Sequence, residues 1–107
     1  MIQFRNISQD ELKYVYESAQ AQMEYNPKIT AKYKKLIEQQ PFYKCKEEAI
    51  NAAEIICTRP RAMVCQIWAK IGVDEEYYYI QDYYIVSDDI RISIAADYIG
   101  MAQMYYG

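Results

Sequence analysis

Apolar residues Leu12, Val15, Tyr16, Ala19 and Met23 fall at i, i+3, i+4, i+7 and i+11, the spacing that lays one stripe along a helix. Just before them, Ser8 and Glu11 in "SQDE" have the form of a capping box, in which each side chain satisfies a backbone N–H left unpaired at a helix start. A helix over residues 9–25 is predicted. Asn26-Pro27 ends it, because proline disfavours helical geometry in the residue before it and suits the first position of the next helix. "KITAKYKKLIEQQ" repeats the spacing with Ile29, Tyr33, Leu36 and Ile37, and Pro41 punctuates it. In "PFYKCKEEAINAAEIIC" the stripe is Phe42, Cys45, Ala49, Ala52, Ala53 and Ile56, up to a break at Arg59-Pro60. "PRAMVCQIWAKIG" then places Met63, Val64, Ile67, Trp68 and Ile71 on one helical face, with Gly72 read as its C-terminal cap.

Ser87 ahead of Asp88 and Asp89 reads as an N-cap followed by acids that suit the helix dipole. Ile90, Ile94, Tyr98, Met101 and Tyr105 then share a face out to the C-terminus. A rival reading makes "IRISI" a strand, hairpinned through "SDD" to the tyrosine-rich segment before it. The helix is preferred because its pattern lasts four turns, whereas the alternation stops at Ala95. The expected fold is therefore all-α, a compact single-domain bundle of five or six short helices over residues 1–107. The alternative is α+β with a small C-terminal hairpin at 77–94.

"EEYYYIQDYYIV", residues 75–86, resists either period. Wound as a helix it is apolar all round, and laid out as a strand it is aromatic on both faces. Either way it carries more apolar surface than one small core takes up on a single side. Half of these rings could be core, since tyrosine buries its ring while keeping its hydroxyl wet. The functional reading is a contact surface, because tyrosine supplies large area with few rotatable bonds and one polar tip. Tyr77, Tyr78, Tyr79, Tyr83 and Tyr84 would be the anchors, and Glu75, Glu76 and Asp82 would orient a basic partner.

Composition adds that this is a folded domain: 52% of residues are hydrophobic and 25% charged. No apolar run reaches the roughly 18–20 residues that span a bilayer, and "MIQFRNISQDELK" lacks the layout of an export signal, so a cytoplasmic location is expected. The odd number of cysteines, Cys45, Cys57 and Cys65, reads as reduced thiols. The net charge of −3 divides unevenly, into +3 over residues 1–71 and −6 over residues 72–107.

The absence of histidine removes the commonest general base and metal ligand, and the three isolated glycines form no phosphate loop. No enzyme activity, metal or cofactor is expected. Lys32, Lys34, Lys35, Lys44 and Lys46 flank Tyr33, Phe42 and Tyr43, an arrangement that can hold phosphates while bases stack. The flanking segments make a poor helix-turn-helix, because the second carries Glu47, Glu48 and Glu54. Ala96 and Gly100, four apart, would let another helix approach closely, in the bundle or in a second copy.

In size and in its acidic, aromatic surface the chain resembles the small inhibitors and adaptors encoded by phages and other mobile elements, including anti-CRISPR proteins. The resemblance implies a non-catalytic protein-binding function that occludes a basic, nucleic-acid-binding surface of a larger host defence protein. One alternative is a nucleic-acid or nucleotide-signal binder using the lysine-rich stretch 28–46. Another is a self-assembling structural adaptor whose tyrosine segment is covered by its own copies.

Overall fold

The computed structural model describes residues 5–58, 65–87 and 89–106, with only the backbone described at 57, 58, 65, 87, 105 and 106. The elements in chain order are α1 (Gln9–Tyr25), α2 (Pro27–Glu38), β1 (Phe42–Tyr43), α3 (Lys46–Thr58), β2 (Cys65–Asp74), β3 (Tyr77–Ser87), α4 (Ile90–Tyr98) and β4 (Met101–Tyr106). The four strands form an antiparallel sheet in the order β1-β3-β2-β4. The protein is thus α+β, and the all-α bundle is overturned. The expected hairpin at 77–94 is also misplaced, because the hairpin is β2–β3, turning at Glu75-Glu76, and residues 90–98 are helical.

The early elements follow their local chemistry. Ser8 Oγ accepts the Glu11 N–H at the start of α1, and Pro27 opens α2 at the break after Asn26. Thr30 ties the two helices together, its hydroxyl donating to the Asn26 carbonyl and more weakly to that of Gln22 (3.0 and 3.5 Å). The predicted break at Arg59-Pro60 lies outside the described residues.

Met63 and Val64 lie outside the described residues, and the described part of the segment read as a fourth helix, from Cys65 onward, belongs to the central strand β2. Alternation along it sends Gln66 and Trp68 to one face of the sheet and Ile67, Ala69 and Ile71 to the other. On the first face Trp68, Tyr84, Val86 and Met101 pack against Ile37 of α2 and Ile92, Ala95 and Ala96 of α4. On the second, Ile67 and Ile85 pack under Ala49 and Ala53 of α3, and Ile71 and Ala102 under Leu12 of α1. Both faces carry helices, yet the two sets of positions differ: Ile67, Ala69, Ile71 and Val73 are apolar, whereas Gln66, Lys70 and Gly72 stand beside Trp68 on the first face, a period of two along β2.

Helix α4 is capped by Asp89, whose carboxylate accepts the Arg91 N–H, and not by Ser87 as the sequence suggested. It ends at Tyr98 and does not run on to the C-terminus. Gly100 sits at φ 84°, the left-handed conformation that closes a helix, and turns the chain into β4. A Cβ built on Gly100 would lie 2.7 Å from the Cβ of Ala19, so the small residue permits the close approach of α1 within one chain. Gly72, expected as a helix cap, lies within β2.

Candidate binding cleft

The tyrosines expected to form one surface are separated by the alternation of β3. Tyr84 is 8% exposed, in the core under α2 and α4, while Tyr83 faces the opposite way and packs at the edge of the α3 cluster. Burial raises the pKa of both hydroxyls. Tyr78 is half-buried beside Tyr16 with ring centroids 5.7 Å apart, and its backbone N–H and C=O are both held by the Gln9 side-chain amide (3.1 and 2.6 Å). Asp82 is 7% exposed and accepts a 2.6 Å hydrogen bond from Lys44 Nζ, so it is not available to a partner. Only Glu75, Glu76 and Tyr77 at the hairpin turn, and Tyr79 beside it, remain open.

The lysines are separated too. Lys44 is spent on Asp82, and its ammonium pKa is raised chiefly by that hydrogen bond. Lys46 begins α3 and Lys35 is exposed on α2, away from any cleft described here. Lys32 and Lys34, two positions apart on α2, face opposite sides of that helix and line different depressions.

Lys32 borders a groove between α2 and α4, ≈ 430 Å³, with Tyr33, Leu36, Gln39, Arg91 and Ile94 around it. The Arg91 guanidinium there is already bonded through two nitrogens to the Asp89 carboxylate (3.1 and 2.8 Å). Its charge is largely committed, which makes this groove a poor anion site.

Lys34 lines a cleft of ≈ 330 Å³ where α1, the start of α2 and the outer end of the β2–β3 hairpin meet. Pairing with β4 stops at Lys70, so β2 projects beyond its neighbour here. Lys70 and Gly72 of β2 and Tyr79 and Gln81 of β3 form one wall, and Tyr16, Gln20 and Met23 of α1 form another. The sheet is irregular at this point. Lys70 pairs with Asp82 but Ile71 pairs with Ile80, which leaves Gln81 as an extra, bulged residue. Tyr79 is 38% exposed, and its ring lies across Gly72: a Cβ there would meet Tyr79 Cζ at 2.7 Å. A side chain at position 72 would push the end of the tyrosine off the strand.

No carboxylate lines this cleft among the described residues. Lys70 is the cross-strand neighbour of Asp82, yet that carboxylate bonds Lys44, so the trio Lys44, Asp82 and Lys70 keeps one net positive charge. The cleft is thus lined by two lysines from different elements, two glutamines and two tyrosines, on a chain whose net charge is −3. The sequence reading joined Lys34 to the wrong neighbours and missed Lys70. Its one sequence signal is that it is the sole basic residue between Arg61 and Arg91, set in the apolar run "IWAKIG".

No family model, curated protein or solved structure matches the chain significantly. Among the described residues, no helix is long and apolar enough to cross a membrane.

Proposed function

We propose that this protein is a non-catalytic binding domain that takes a phosphate-bearing anion in the cleft between α1, α2 and the β2–β3 hairpin. The observation that supports this reading is the convergence of Lys34 and Lys70 on a cleft with no carboxylate in its described lining. Multiply charged oxyanions suit such a site, because each ammonium offers three donors and phosphate offers acceptors on every side. The reading keeps the lysine-rich stretch as a source of the site but narrows it to Lys34, and it adds Lys70 from the sheet.

The partner-occluding reading retains a smaller support. Asp74, Glu75 and Glu76 surround Tyr77, 63% exposed at the hairpin turn, which is an acidic tip with one aromatic anchor. One tyrosine, at the start of β3 beside the turn, offers far less contact area than the five first considered.

Calorimetric titration with inorganic pyrophosphate at several salt concentrations tests the anion reading. Binding should weaken with added salt. Lys34→Gln and Lys70→Gln should each weaken it roughly 10- to 100-fold, the equivalent of a charged hydrogen bond of ~1.5–3 kcal/mol. Binding that is unchanged in both variants would place any anion site elsewhere.

A further inference from the structure

We infer that the ligand of this cleft is a mononucleotide, its phosphate on Lys34 and Lys70 and its base on the ring of Tyr79. The inference rests on the anion reading above and adds to it the identity of the organic part. Three features of the cleft carry it.

The first is the seating of Tyr79. Its ring rests against the backbone of Gly72, which has no Cβ to push it away, so one side of the ring is supported by the strand while the residue still opens into the cleft. A ring that lies against the strand on one side offers its other side as a stacking platform for a base. The second is the pair Gln20 and Gln81, one from α1 and one from the bulge in β3. Each amide carries both a donor and an acceptor, the complement required by the edge of a nucleobase and not by a bare oxyanion. The third is size. A volume of ≈ 330 Å³ stands at the bottom of the roughly 300–1,000 Å³ range of small-molecule sites, enough for one base, one sugar and its phosphate. A single-stranded polymer would need a basic groove tracking roughly four or more nucleotides, whereas Lys32 is turned away into the other groove and Lys44 is bonded to Asp82.

Stacking and charge therefore act on different parts of one ligand, and they can be removed separately. The probes are purine and pyrimidine 5′-monophosphates, ribose 5-phosphate, inorganic pyrophosphate and a short single-stranded oligonucleotide, each titrated calorimetrically into the full chain. At least one mononucleotide should bind tenfold or more tighter than ribose 5-phosphate. Tyr79→Leu should abolish that preference, bringing mononucleotide affinity down to that of ribose 5-phosphate. Gly72→Ala keeps the tyrosine but displaces its ring, and should lose the same preference with Tyr79 intact. Thermal melting of both variants verifies that they are folded. If ribose 5-phosphate binds as tightly as every mononucleotide, the base is not recognised and this inference falls while the anion reading stands. If no phosphate-bearing probe binds, both fall. An oligonucleotide that binds more tightly than any mononucleotide would overturn the size argument and assign the cleft to nucleic acid.

Discussion

Replacing Gly100 by alanine gives opposite signs for the two ways of reading the last third of the chain. If the helix starting at residue 90 continued to the C-terminus, Gly100 would be a helix-interior glycine and alanine would stabilise it by ~1 kcal/mol. In the structure Gly100 sits at φ 84°, where a side chain costs about 1–2 kcal/mol in backbone strain. The new methyl group would also start 2.7 Å from the Cβ of Ala19, against an optimum of roughly 3.5–4.0 Å between carbons. Neither atom is the end of a flexible side chain, so α1 or the turn must move, at about 1–3 kcal/mol. Gly100→Ala should therefore destabilise by roughly 2–5 kcal/mol, a large part of the ~5–15 kcal/mol expected of a domain. Urea unfolding followed by the fluorescence of Trp68 measures it. Ala19→Gly in the same background removes the colliding group and should recover the steric share but not the strain, giving a coupling of about 1–3 kcal/mol in a double-mutant cycle. An unchanged or increased stability of Gly100→Ala would refute both the left-handed turn and the seating of α1 against it.

Two further outcomes follow from the same packing. Tyr84→Ala should cost about 3–5 kcal/mol of folding stability, as for other buried aromatics, whereas Tyr77→Ala at the exposed turn should stay within roughly 0.5 kcal/mol; equal losses in the same unfolding assay would contradict the placement of β3. Lys44→Met should destabilise the protein by leaving Asp82 buried without its partner. Because the Lys44 pKa is raised in the folded state, the ion pair contributes fully below the ordinary lysine value of 10.5 and fades as pH rises through the raised value. The gap between wild type and variant should therefore be constant from neutral pH up to that point and shrink above it, and a gap that persists into strong alkali would argue against the pair.

The helices at the start of the chain were legible because their signals are local. The Ser8 cap, the Pro27 start and the stripe on α1 each act within a few residues and need no knowledge of the rest of the fold. The sheet was harder to read, for a different reason in each strand. In β2, Ile67, Ala69, Ile71 and Val73 alternate with Gln66, Lys70 and Gly72, but Trp68 breaks the alternation and, with Ile67 and Ile71, also satisfies helical spacing. In β3 helices cover both faces, so its period of two is hidden. Ile67, Trp68 and Ile71 lie on β2 despite their helical spacing, and Met63 and Val64 are outside the described residues. The excess apolar surface of residues 75–86 is shared between the two faces of β3. It exceeds what one core can hold because the strand serves two. The β-branched and aromatic content of that segment, with five tyrosines, two isoleucines and a valine, was the signal for a strand. The binding cleft was illegible for a different reason. Lys34 and Lys70 line one cleft only because α2 packs over the sheet beside β2, and no local pattern announces that juxtaposition.

The most direct measurement of the proposed function is an amide-resolved NMR titration of the whole chain with a mononucleotide. Shifts concentrated at Ala19, Gln20, Gly72, Val73, Tyr79 and Gln81, saturating together and lost in a Lys34→Gln/Lys70→Gln double variant, are what the cleft predicts. An absence of saturable shifts, or shifts that survive loss of both lysines, would contradict it.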